Sequence, residues 1–179
     1  MRKMRIQHLC SVILMFGLTS CAGPDEKAER IVLDCLKKDN ALALDILPSF
    51  EKFLIDSGYI DNWDKENLKS LLTDLESRRI TISQSDFIPD DKFWEMETTF
   101  VSRFALWTAC FTETPEIPED HNHSIGRVAH AVNEITRTNN WGPPNDQALI
   151  DAISPKDIEK DIYRVSAFYL VWSHIRYPD

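Results

Sequence analysis

From residue 28 onwards, apolar side chains recur every three or four positions and are broken at intervals by short polar clusters. Ala28, Ile31, Val32, Cys35 and Leu36 share one side of a helix, the spacing of a half-buried α-helix. Asp39 and Asn40 interrupt it. Residues 41–58 form a second run, in which Pro48 predicts a kink or a fresh start and Gly58 is well placed as a C-terminal cap. Leu68, Leu71, Leu72 and Leu75 make a third face. With Asp64 as its N-cap, Trp63 and Leu68 take the positions of a hydrophobic staple. Residues 78–83 alternate as a strand does, but one such run cannot build a sheet, so an extended connector is expected.

Asp90 or Asp91 starts a longer helix with the stripe Phe93, Met96, Phe100, Phe104, Trp107 and Phe111. From Phe104 on nearly every residue is apolar, which predicts burial on most sides. A polar loop with two prolines leads to Ser124, which opens a helix with Ile125, Val128, Ala129, Val132 and Ile135 inward. A turn-forming stretch around Trp141 and a short helix at 146–153 follow. Ser154 as N-cap, Pro155 as first helical residue, Asp157 in the third position and an Ile153–Ile158 staple predict the start of the last helix. Its stripe is Ile158, Ile162, Val165, Tyr169 and Trp172. The expected architecture is a single all-α domain over residues 28–179, with six to seven helices. A pair of aromatic-rich helices, about 91–112 and 155–176, packs together at its centre.

The first twenty residues have a different character. Arg2, Lys3 and Arg5 precede the run "LCSVILMFGL", the arrangement of a secretory signal. The run is shorter than the roughly 20 apolar residues a membrane span requires. The sequence "LTSC", residues 18–21, resembles the lipobox of bacterial lipoproteins. The resemblance covers residues 2–21 and implies that residues 1–20 are removed and that Cys21 is lipidated on sulfur. Cys21 would then be the first mature residue, with residues 21–27 as a short tether. Each buried methylene contributes about 0.8 kcal/mol, so two or more acyl chains hold a protein at a bilayer where one does not. Ala22 rather than aspartate follows the cysteine, which implies the outer membrane in a cell with two membranes.

Charge narrows the partners. The chain has 20 basic and 29 acidic residues; loss of residues 1–20 removes three basic ones and leaves a formal charge of −12. An acidic body argues against nucleic-acid binding and against adhesion to anionic lipid, and is compatible with a basic protein partner. Of four cysteines, Cys10 lies in the signal and Cys21 carries the anchor. Cys35 and Cys110 remain, and two states are open to them: a disulfide, which an exported location permits, or two buried thiols.

Candidates for chemistry are few. His121 and His123 lie two apart in a loop and His130 with Glu134 four apart on one helix, near Glu119 and Asp120. These are zinc-ligand types, but no His-Glu-x-x-His is present, and a solvent-exposed His130–Glu134 pair is the plainer expectation. Glu97 and Arg103 flank the Phe100 stripe and could form a buried pair, or cover the core edge with their stems. His174 is expected to do no more than suit the negative end of the last helix. Trp141 could anchor a partner or fold back on the core. No nucleophile elbow, phosphate loop or calcium loop occurs, and the chain has five glycines in all. The expectation is a lipid-anchored cell-envelope protein that binds another macromolecule, as inhibitor, immunity-like partner or assembly subunit, rather than an enzyme, and has no cofactor. The competing expectation is a zinc or small-ligand site around His121, His123 and His130. Mass spectrometry of the processed chain checks the anchor: the N-terminal residue is expected to be an acylated Cys21, and a free thiol there or an uncleaved Met1 would refute it.

Overall fold

The computed structural model describes residues 23–83, 86, 91–118, 122–138 and 145–176. Among them are seven helices and no strand: α1 (Pro24–Asp39), α2 (Ala41–Asp56), α3 (Lys65–Glu76), α4 (Asp91–Thr112), α5 (Ser124–Thr138), α6 (Asn145–Ala152) and α7 (Asp161–Arg176). α1 begins earlier than its apolar pattern predicts. Pro24 fits the first turn, where its missing N–H leaves no bond unmade, and Asp25 and Glu26 suit the positive helix end. Residues 24–27, expected as tether, are therefore helical. α2 continues through Pro48 without a fresh start and ends at Ser57, with Gly58 at φ 71° where a left-handed residue closes the helix. α3 has the expected cap: the Asn67 amide donates to Asp64 Oδ1 at 2.8 Å. Residues 80–83 form the extended connector and bury Ile82.

α7 is the axis of the molecule. Eleven of its sixteen residues are buried, on every side of the helix. It packs against α1, α2 and α3, and reaches α4 through rings: Trp107 stacks on Tyr169 with centroids 5.2 Å apart, and Phe93 on Trp172 at 5.8 Å. Phe100 and Phe104 also meet Tyr169. The central aromatic pair is thus present. Its α4 member, however, is buried on one side alone. Ala105 is exposed and Phe104 half-buried, while Val101 is 67% and Leu106 42% exposed. The continuous apolar run after Phe104 does not mean burial on most sides, because no described element covers the outer face.

α7 also starts later than expected. Ser154, Pro155 and Asp157 form a turn before it, and the helix begins at Asp161. The reason is a sideways use of the capping residues. Asp157 Oδ2 accepts from Ser154 Oγ at 2.6 Å and from Ser124 Oγ at 2.8 Å, while Oδ1 meets Lys160 Nζ at 2.8 Å. Ser124 Oγ accepts in turn from the Ser154 amide and from Arg127. The residues that would cap a helix at 155 instead weld the turn to the start of α5.

Cys35 and Cys110 are joined by a disulfide that ties α1 to α4 across 75 residues of sequence. Loop closure of that length contributes about 4 kcal/mol in the chain-entropy account. Reduction, or the Cys35→Ala/Cys110→Ala double substitution, is expected to lower the urea midpoint by the equivalent of roughly 3–4 kcal/mol, read against oxidised protein by circular dichroism. Asp157 supplies a pH signature. Burial pushes its carboxyl up, but Lys160, Ser154 and Ser124 outweigh it and hold the pKa at about 2, below its ordinary 3.8. A depressed folded pKa stabilises above the unfolded value and is lost as pH falls from about 4 to about 2. Asp157→Asn is expected to remove about 2 kcal/mol at pH 7 and to flatten that part of the stability–pH curve, measured by thermal melts at pH 2–7.

Candidate functional site

Cys21, His121 and Trp141 lie outside the described residues. His123 Nδ1 pairs with Asp25 Oδ2 at 2.9 Å, so it joins the start of α5 to α1. His130, seven residues on and about 10 Å further along the helix, is exposed. It sits between two surface grooves, one of about 500 Å³ lined by Arg127, Glu134 and Asp151, the other of about 350 Å³ lined by Phe111, Ile117 and Asn133. Among the described residues these two histidines share no metal-sized group with a third ligand. Glu134 engages Arg137 at 2.7 Å. That hydrogen bond holds its carboxyl below the ordinary value, with His130 adding a smaller pull.

Glu97 and Arg103 do not form a pair either. Glu97 meets Arg176 at the end of α7. Arg103 bridges Glu95 at 2.9 Å and donates to Thr99 Oγ1 at 2.7 Å. Both are partly buried, and their charged heads find partners on neighbouring turns or helices.

Three residues that the sequence pattern does not connect come together instead. Glu76 ends α3, Asp146 is in the first turn of α6 and His174 is in the last turn of α7. One ligand atom from each lies within 4.8 Å of the others. His174 Nε2 is 2.7 Å from Asp146 Oδ2 and 4.0 Å from Glu76 Oε1. The side chains are 14%, 3% and 13% exposed, in the order His174, Asp146, Glu76. Asp146 and His174 each suit their helix end, an anion at an N-terminus and a cation at a C-terminus. Glu76 does not, since it places a carboxyl at a negative helix end. Burial pushes the Glu76 carboxyl up, His174 pulls it down and Asp146 pushes it up again. Glu76 Oε1 and Asp146 Oδ1 are buried and have no hydrogen-bond donor among the described residues.

A buried carboxylate oxygen without a donor is an expensive arrangement. Separations of 70 and 28 residues left this group without a motif. Its one sequence signal is His174 itself, the only imidazole in α7.

A second feature is the outer face of α4. Trp94 is 60%, Val101 67% and Leu106 42% exposed. Trp94, Thr98, Val101 and Ala105 follow one stripe at helical spacing, and Leu106 lies about 100° round the helix from it. Glu95, paired with Arg103, is exposed on the same helix, and Glu113 and Glu116 are exposed just beyond its end.

Comparison with protein-family models, with curated proteins and with solved structures finds no match for this chain.

Proposed function

We propose that this protein is held in the cell envelope by lipid on Cys21 and acts by binding another protein through the outer face of α4, not by catalysis. The observation that carries this reading is the exposure of Trp94, Val101 and Leu106 on one helix. Single exposed apolar residues are ordinary, but tryptophan is enriched among the residues that carry binding energy, and grouped exposed apolar surface marks interaction sites. The partner that fits has an apolar centre and a basic rim. Exposed Glu113 and Glu116 follow the end of α4, and the body left after loss of residues 1–20 carries a formal charge of −12. The same charge disfavours nucleic acid. An inhibitor, an immunity-like protein or an assembly subunit would each use such a face.

Trp94→Ala and Val101→Asp test it, because both side chains stand clear of the core and their loss leaves the fold intact. Cross-linking in native membranes is expected to capture a basic protein with the unaltered chain. Its recovery should fall at least tenfold with the double variant and decline as salt is raised. Equal recovery with both chains, or capture of nothing basic, would overturn the reading, provided the melting temperatures of the two agree.

A further inference from the structure

From the geometry of Glu76, Asp146 and His174 we infer a binding site for one divalent transition-metal ion, zinc by preference, held by the ends of α3, α6 and α7. The donor set is one imidazole nitrogen and two carboxylate oxygens, a combination that zinc accepts with a fourth position left to water. Charge balance points the same way. With both carboxyls ionised and the imidazole neutral, two negative charges would sit in a pocket whose side chains are at most 14% exposed. Protonated His174 cancels one of them; a dication cancels both. Glu76 Oε1 and Asp146 Oδ1 are the atoms that a proton on His174 leaves without a donor, and Asp146 is 98% buried, with a relative exposure of 2%.

Zinc at about 2.0–2.1 Å from each ligand sets neighbouring ligands roughly 3.3 Å apart. The 2.7 Å contact between Asp146 and His174 would open, and the 4.0 Å gap between Glu76 and His174 would close. Each of these two movements is under 1 Å by that geometry, and the Glu76 and Asp146 oxygens, within 4.8 Å of each other, would close by at most about 1.5 Å. The ion would replace the hydrogen at Nε2, so affinity is expected to fall as pH drops below the imidazole range. This site lies apart from the α4 face and stands or falls independently of it.

Zinc alone is the probe. Equilibrium dialysis of the purified, disulfide-bonded protein followed by elemental analysis is expected to give one zinc per chain. At a hundredfold excess over Kd the melting temperature should rise by roughly 5–10 °C, and EDTA should reverse the rise. Glu76→Gln and His174→Gln are each expected to weaken binding at least tenfold, whereas His123→Gln/His130→Gln is expected to leave it unchanged. Should His174→Gln fail to fold, Glu76→Gln keeps the test, because Glu76 Oε1 has no hydrogen bond to lose among the described residues. Absence of stoichiometric zinc from the unaltered protein, or equal affinity in Glu76→Gln, would overturn the assignment.

Discussion

A helix enclosed along most of its length must satisfy its buried polar groups inside the protein, and α7 does so at four positions. The Tyr163 hydroxyl donates to Glu29 of α1 at 2.8 Å. Ser166 Oγ accepts from Trp107 Nε1 of α4 at 3.2 Å and donates to the Ile162 carbonyl. The Tyr169 hydroxyl donates to Asn40 at 2.7 Å, and His174 meets Asp146 of α6. Burial, reinforced by Glu29, pushes the Tyr163 hydroxyl well above its ordinary range, so it stays a donor. Rotation of α7 by one residue, about 100°, would break all four contacts together. Hydrophobic burial draws the outer helices onto α7, and these hydrogen bonds select one register among the many that apolar packing alone would tolerate.

Asn40 shows how connection and packing are joined. It separates α1 from α2 and is wholly buried. Its amide donates to the Arg103 carbonyl within α4 at 3.1 Å, and its oxygen accepts from Tyr169. One short side chain therefore links the α1–α2 corner to both members of the aromatic pair. The Cys35–Cys110 bridge adds a covalent tie between the same α1 and α4. These are long-range contacts, and they hold in place an α4 that has solvent on its far side.

Much of the fold was legible in the sequence because helical spacing reports which side is apolar. The faces of α1, α3 and α5 follow their patterns, and Asp64 caps α3 as its position suggests. Three features were not legible. Periodicity cannot say whether a helix that is apolar all round is covered, and so α4 and α7 looked alike although just one is enclosed. The Ser154–Asp157 signature predicted a helix start because a cap written in sequence does not reveal that Ser124, 33 residues before Asp157, competes for the same carboxylate. Glu76, Asp146 and His174 were invisible as a group because helix ends meet through tertiary packing, which carries no fixed spacing. The residues that sequence spacing favoured, His123 and His130, belong to one local stretch whose members the helix holds apart.

The early beginning of α1 has a mechanical consequence for the proposed anchor. Three peptide steps separate Cys21 from Pro24, and an extended chain covers at most about 10 Å in that distance. A stalk of that size cannot carry the globule clear of the headgroups. The protein would ride on the bilayer with the amino end of α1 turned towards it, its tilt restricted by a leash shorter than the helix it leads into. Under that proposal, a binding face held so close to a surface would search two dimensions instead of three, and would meet first those proteins that share the same membrane.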